Sequence, residues 1–394
     1  MSMTLNPPPP SSAPPSDGLR RAPSAARQSL DAPLLAITLS LVLIGLVSVY
    51  SASAPNAQAD SGASYAILLK QALAAGVGLW GMMLVSRLPF TLWRRLAKPI
   101  ALTAIGLLLI TLLFGQTVNG SERWIALPFG FQFQPSDVAK LAAILLMAQA
   151  TCRRRLLTFT LFPNLALVAV MVALIYQQPN LSVSIIIGVM TLAMLFIGGF
   201  SVPLLLLGLP LAGYGVFLKV MTVEYQRRRI QGWLDPWADM QDTGYNLIQS
   251  YYAIGSGGIF GVGFGHSAQK MHYLPFPYTD FIFSVICEEW GLFGSLIIVG
   301  LFALFGWRGF TIARQCESPF GQMLAFGLTC AILLQALINI SVTIGMMPVT
   351  GVTLPFISYG GTSMILTLVM TGILLSVSRH RPRPRVASWP QTAS

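Results

Sequence analysis

Charge is what this chain has least of. Of its 394 residues, 13 are Asp or Glu, 3 are His and 4 are Cys, and 9% in all are charged. A soluble domain carries roughly 25% charged residues, so a water-facing surface is excluded for most of the length. The cysteines, Cys152, Cys287, Cys316 and Cys330, show no metal-ligand spacing and sit in or beside apolar segments. That excludes a disulfide framework and leaves them as small core residues. Residues 1–33 lack the apolar stretch of a signal peptide. They are Pro, Ser and Ala with Arg20, Arg21 and Arg27, which predicts a disordered cytoplasmic tail. No internal repeat is present, and no inverted-repeat pattern of a secondary transporter.

What the chain has is apolar length. It is 54% hydrophobic, with a mean hydropathy of +0.69. Apolar runs of about 18 residues read as membrane spans, whereas a β-barrel would show short alternating segments. The expected fold class is an all-α polytopic membrane protein of about ten transmembrane helices with one long extracytoplasmic loop. The spans are 34–53, 66–85, 99–115, 137–151, 160–177, 181–198, 202–220, 280–306, 320–344 and 358–378. The tail 1–33, the loops 86–98, 152–159, 199–201 and 307–319, and a basic tail 379–394 hold 16 of the 24 Lys and Arg residues. Cytoplasmic loops collect such residues, which predicts that both termini are cytoplasmic. It also accounts for the net charge of +11 without nucleic acid. The membrane domain is then 34–378, with residues 221–279 as the long outer loop.

The polar residues converge on the outer face. In "NGSERWIALPFGFQFQPSDVAK", Arg123 precedes Asp137 and Lys140, which are spaced to share a helix face. They form either a neutralising pair or a pair in which Lys140 faces a cavity and binds an anion. The long loop holds Arg227, Arg228 and Arg229, placed either to snorkel toward lipid phosphates or to clamp a pyrophosphate. "GSGGIFGVGFG" follows, a loop for close backbone approach with no surrounding dinucleotide fold, and then Lys270 and His272.

"YLPFPYTDFIFSVICEEWG" places three carboxylates within ten residues. Pro275 and Pro277 keep the chain extended, Thr279 is read as the N-cap, and Asp280 as the first helical residue. Glu288 then lies about 12 Å deeper, with Glu289 turned about 100° away. Asp280 is the candidate general base; Glu288 and Glu289 need packing or coupling partners. Asn339 sits in the next span. Ser358, Gly360 and Gly361 open the last one, where irregular backbone demands a protein or cavity environment.

Taken together and in order, "NGSERWI", "FQPSDVAK", "YLPFPYTDFIFSVICEEWG" and "TGVTLPFISYGGTS" resemble the SEDS family of bacterial membrane proteins, which includes FtsW, RodA and SpoVE. The likeness covers residues 34–378. It implies a peptidoglycan glycosyltransferase polymerising lipid II at the outer face of the bacterial cytoplasmic membrane with a class B penicillin-binding protein. Asp280 matches the family's catalytic Asp, Asp137 and Lys140 its acid–lysine pair, and Arg123 its Arg-Trp position. "GFGHSAQKMHYLP", through Ser267 and Lys270, leans toward the division branch over the RodA-like elongation branch, which implies other division proteins as partners and a septal location. Two positions depart from the family: Phe276 and Asn180 stand where acids are common.

In the expected mechanism, Asp280 deprotonates the acceptor hydroxyl. Arg123, Lys140, Arg227–Arg229, Lys270 and Ser358 hold the substrate and its pyrophosphate. Asp137, Glu288, Glu289, Asn339, Gly360 and Gly361 are structural or coupling residues. A divalent cation, Mg or Mn, is a candidate aid, without a metal-site motif. The rivals are a lipid II flippase, for which Glu288 and Glu289 would line a path, and a non-catalytic scaffold for a partner polymerase.

Overall fold

The computed structural model describes residues 30–380 except 62, 119–120, 127–131, 153–160, 179 and 272. Both tails beyond this range, Arg153–Arg155 and His272 lie outside the described residues.

Among the described residues there are twelve α-helices and one small sheet. The helices are α1 (Ala32–Ser61), α2 (Ala66–Arg87), α3 (Thr91–Phe114), α4 (Pro135–Thr151), α5 (Leu161–Gln177) and α6 (Leu181–Ile197), then α7 (Val202–Thr222), α8 (Glu224–Leu234), α9 (Tyr245–Gly257), α10 (Ile282–Gln315), α11 (Pro319–Thr343) and α12 (Gly361–Ser378). Six of these, α1, α2, α3, α10, α11 and α12, are long and apolar enough to cross a membrane, and α5 and α6 are shorter apolar helices. Each of the ten expected spans falls on a helix, but several boundaries move; α1, for instance, runs on to Ser61. α1 starts at Ala32, because Asp31 accepts a hydrogen bond from the Leu34 amide at 3.0 Å and so serves its first turn. α3 starts at Thr91, so Arg94, Arg95 and Lys98 are helical and not in a loop. α10 runs on to Gln315 and takes Arg308 and Arg314 with it.

About half of the expected long loop is helical. α8 and α9 occupy it, joined by a 3₁₀ turn at Pro236–Asp239. Glu224 explains why α8 forms: it pairs with Arg227 at 2.8 Å and Arg228 at 3.3 Å, three and four residues on.

α4 lies at the centre. Nearly all of its residues are buried, against α3, α5, α6, α11 and α12. α2 runs along α12 so closely that a Cβ on Gly372 would lie 2.6 Å from the Met82 carbonyl. The two ends of the bundle differ chemically. At one end Arg308 pairs with Asp31 at 2.6 Å, and Arg94, Arg95, Lys98, Thr91 and Gln149 line a basic cleft. The other end carries the sheet, α8, α9 and the irregular segments 258–281 and 344–360.

The sheet is antiparallel, β1 (Gln116–Val118), β2 (Ser121–Ala126) and β3 (Gln132–Phe133) in the order β1-β2-β3. It is tied to α12 by Thr362, whose hydroxyl lies 3.3 Å from the Gln134 amide.

Candidate active site

Asp280 is in a turn, not in a helix. Pro275 and Pro277 hold residues 273–281 out of helical conformation, and α10 begins at Ile282 with Phe281 in the capping position. The expected N-cap at Thr279 is therefore corrected. Its hydroxyl turns sideways instead, 2.8 Å from Asp280 Oδ1 and 2.8 Å from the Phe276 carbonyl oxygen. Asn339 fixes the backbone behind: its Nδ2 donates to the carbonyls of Asp280 at 2.8 Å and Val352 at 2.7 Å. Burial pushes the Asp280 carboxyl above the ordinary carboxylate range, against the opposing pull of the Thr279 hydroxyl and the Arg229 charge.

The three arginines of α8 separate. Arg227 and Arg228 are exposed and turn to Glu224 and Asp242. Arg229 faces inward, its guanidinium 4.4 Å from the Tyr225 ring centroid and hydrogen-bonded to the Tyr225 hydroxyl. Its Nη2, like Asp280 Oδ2, lies beside Gly351. Arg123, on β2, is buried and joins the same group. Burial lowers its pKa to about 10, reinforced by the Arg229 charge and opposed by Tyr225. Tyr225 was not singled out from the sequence; its position four residues before Arg229 on one helix face is the signal.

Asp137 and Lys140 form an ion pair at 3.1 Å, with side chains 6% and 3% exposed. The pair that the three-residue spacing predicts is present. Lys140 Nζ also donates to Gln335 Oε1 at 2.5 Å, and Gln335 Nε2 donates to the Thr353 carbonyl at 3.0 Å. The pair thus braces α4 against α11 and the 344–360 segment. Asn180 lies beside it, with Nδ2 3.4 Å from Ser136 Oγ.

Glu288 and Glu289 are also spoken for. Glu288 accepts from Ser267 Oγ at 2.5 Å and from the Ala268 amide at 2.9 Å. Glu289 pairs with Lys270 at 2.8 Å and accepts from Ser51 of α1 at 2.6 Å. Lys270 is buried and its ammonium is directed at Glu289 and Ser51. Neither glutamate presents a row of carboxylates along a crossing path.

The glycine-rich loop has a backbone explanation. α10 is broken at Gly291, where φ is 68°. The amides of Val262 and Gly263 donate to the carbonyls of Glu288 and Glu289, and those of Leu292 and Phe293 donate to Gly258 and Ile259. The loop fills the hydrogen bonds that the break frees. A Cβ on Gly261 would sit 2.1 Å from the Glu289 carbonyl.

Ser358 is buried and its hydroxyl accepts from the Leu354 amide at 2.7 Å, which stabilises the turn before α12. Gln71 of α2 completes that turn, donating to the Ser358 carbonyl at 3.1 Å and accepting from the Gly360 amide at 3.3 Å. Gly361 is the first residue of α12.

Among the described residues two non-glycines have left-handed backbone, Phe276 at φ 48° and Phe356 at φ 65°. Such a conformation costs about 1–3 kcal/mol. Phe356 is 1% exposed and packs on Phe305, so burial offsets its strain. Phe276 is 50% exposed.

A family model described as "Cell cycle protein", FtsW/RodA/SpoVE, matches residues 32–383. The chain is 38% identical over 358 residues to a "Probable peptidoglycan glycosyltransferase FtsW" of Geobacter metallireducens, covering 88% of this chain and 94% of the relative. It is also 38% identical over 361 residues to "Stage V sporulation protein E" of Bacillus subtilis, covering 90% and 98%. Among solved structures, a chain described under "Structural coordination of polymerization and crosslinking by a peptidoglycan synthase complex" superposes with a TM-score of 0.74 at 31% identity, covering 89% of this chain and 98% of that one. Thermus thermophilus "Rod shape determining protein RodA" superposes with a TM-score of 0.68 at 29% identity, covering 90% and 99%. Matched along nearly its whole membrane domain, in sequence and in fold, the chain belongs to the FtsW/RodA/SpoVE family.

Proposed function

We propose that the chain is a peptidoglycan glycosyltransferase that polymerises lipid II at the outer face of the bacterial cytoplasmic membrane, and that it serves cell division. The observation that carries the chemistry is Asp280, a half-buried carboxylate on a braced turn, facing the Arg229–Tyr225–Arg123 group. The relatives named FtsW support the division role over the elongation role. All ten helices of the expected span set cross the membrane in this reading, and both termini are cytoplasmic.

The acceptor sugar hydroxyl gives its proton to Asp280 as its oxygen attacks the anomeric carbon of the lipid-linked donor. The bond from that carbon to the pyrophosphate oxygen breaks, and polyprenyl pyrophosphate leaves with the electron pair. Attack opposite the leaving group inverts the centre and gives a β-linked strand. Arg229 and Arg123 offset the charge that develops on the leaving pyrophosphate. Lys140, Lys270 and Ser358 act on this site through the backbone they brace. Arg227 and Arg228 face headgroups.

Among the described residues no group of three or more His, Cys, Asp or Glu side chains converges. Asp280 is the carboxylate this turn offers, which does not fit a divalent cation held by protein ligands alone, and no step is derived through one.

A class B penicillin-binding protein is the proposed partner, and the solved peptidoglycan synthase complex supports that choice. The test is glycan-chain formation from lipid II by the purified protein with its cognate partner, transpeptidase blocked, wild type against Asp280→Ala. Polymer from wild type alone is expected. Equal polymer from both moves catalysis elsewhere. No polymer from either, with lipid II translocation in vesicles, replaces the transferase with a flippase.

A further inference from the structure

We infer that Phe276 is a substrate-positioning residue whose ring stacks on the saccharide of the lipid-linked substrate beside Asp280. The inference rests on the glycosyltransferase reading and goes beyond it by naming the contact that holds the sugar face.

The first observation is strain without compensation. Phe276 has a φ of 48°, which a bulky residue adopts only when something over-determines it. Phe356 has its reason in the core. Phe276 does not, since half of its surface is open. Strain of this kind concentrates where a side chain must be presented to a ligand.

The second is the aromatic row. The Phe276 ring lies edge-on to Tyr278, with centroids 6.4 Å apart, and Tyr278 lies edge-on to Tyr359 at 5.6 Å. The Tyr359 amide donates to the Tyr278 carbonyl at 2.9 Å, which locks the row to the turn before α12. Tyr278 and Tyr359 are partly buried supports, and Phe276 is the open end.

The third is the link to the acid. The Thr279 amide donates to the Phe276 carbonyl at 3.1 Å, and the Thr279 hydroxyl lies between that carbonyl and Asp280 Oδ1. That hydroxyl has one proton to share and lies at hydrogen-bonding distance from both acceptors, so the strained residue and the carboxylate belong to one turn.

The chemistry supplies the ligand class. A pyranose has polar hydroxyl edges and a face of C–H bonds that carry partial positive charge. Aromatic faces are negative and prefer such partners. Asp280 serves a hydroxyl and the arginines serve phosphate, and neither provides a partner for the C–H face of the sugar. An exposed phenyl ring provides it.

The experiment measures initial polymerisation rates against lipid II concentration for the intact complex, wild type against Phe276→Leu, Phe276→Ala and Phe276→Tyr. Leu keeps apolar bulk and removes the π face. Phe276→Leu and Phe276→Ala should raise KM about tenfold, as loss of an aromatic stack does elsewhere, with kcat nearly unchanged. Phe276→Tyr should restore KM. In parallel, binding of labelled lipid II should weaken in Phe276→Leu, while binding of sugar-free undecaprenyl pyrophosphate stays the same.

A wild-type KM in Phe276→Leu overturns the inference and leaves the ring as an apolar contact for the polyprenyl chain. Loss of the partner from Phe276→Leu on co-purification overturns it in favour of a protein contact. Should the wild-type complex make no polymer, the transferase reading fails, and the binding comparison still decides for or against Phe276.

Discussion

Arg229 and Asp280 converge beside Gly351: a methyl group placed on Gly351 would lie 3.9 Å from Arg229 Nη2 and 3.9 Å from Asp280 Oδ2. The two side chains come from segments about fifty residues apart, and a residue from a third lies close to both. Gly351 has a φ of 69°, which disfavours any other residue there. Gly351→Ala should destabilise the protein by about 1–2 kcal/mol, read as a lower melting temperature in detergent. Gly351→Val adds bulk against both acid and guanidinium and should abolish polymerisation in protein that still reaches the membrane. Full activity in Gly351→Val would mean that the two groups need not approach.

The acid limb of the rate profile follows from Asp280. As a general base it works ionised, so activity falls as pH drops through its pKa. Burial places that pKa above 3.8. Arg229 favours the ionised form, so Arg229→Gln should move the limb to higher pH. A limb that moves down, or does not move, breaks the pairing. Asp280→Asn should lower the rate by about 10²–10⁴ above that pKa and remove the acid limb.

The arginines should divide in function as they do in space. Arg227→Gln with Arg228→Gln removes exposed pairs worth about 0–1 kcal/mol, and polymerisation should stay within about twofold of wild type. Arg229→Gln should cost about a hundredfold in kcat. Equal losses from both would reinstate the whole cluster as a phosphate clamp.

The Lys270–Glu289 pair is a buried brace. Lys270→Met leaves a carboxylate without its cation and should destabilise by about 3–5 kcal/mol. Lys270→Met with Glu289→Gln should recover most of that, measured by thermal unfolding in detergent. Additive losses in the double variant would show that the two do not act as a pair.

Gly291 is where loop and helix touch. A Cβ there would lie 2.4 Å from the Gly261 amide nitrogen. Gly291→Ala should therefore expose the 258–263 segment to protease in detergent while the rest of the bundle stays resistant. Unchanged cleavage would argue that the loop is held elsewhere.

The helices were readable because apolar length alone specifies them, and the family was readable from four motifs in order. α8 was also within reach, since Glu224, Arg227 and Arg228 stand at helical spacing, yet its polar sequence masked it in a loop defined by its lack of apolar length. The choice of Arg229 over its two neighbours was not readable, because it depends on Gly351, more than a hundred residues away. Lys270 reads as a free cation for the same reason: its partners, Ser51 and Glu289, come from two other helices. The strain at Phe276 has no sequence signature, as nothing in "LPFPY" marks a positive φ.

The break at Gly291 also changes what the bilayer sees. Beyond it, Leu292–Gln315 is 24 residues, about 36 Å at 1.5 Å per residue, enough alone for a hydrocarbon layer of about 30 Å. Its first ionisable residue is Arg308, near the far end. An acid at the centre of an inserting helix costs about 2.5–3.5 kcal/mol. Glu288 and Glu289 escape that cost because the short arm Ile282–Trp290 is enclosed by protein and is not part of the lipid-facing segment. The chain keeps a membrane segment with apolar insertion energetics and, one residue away, a polar arm that insertion does not have to transfer into lipid.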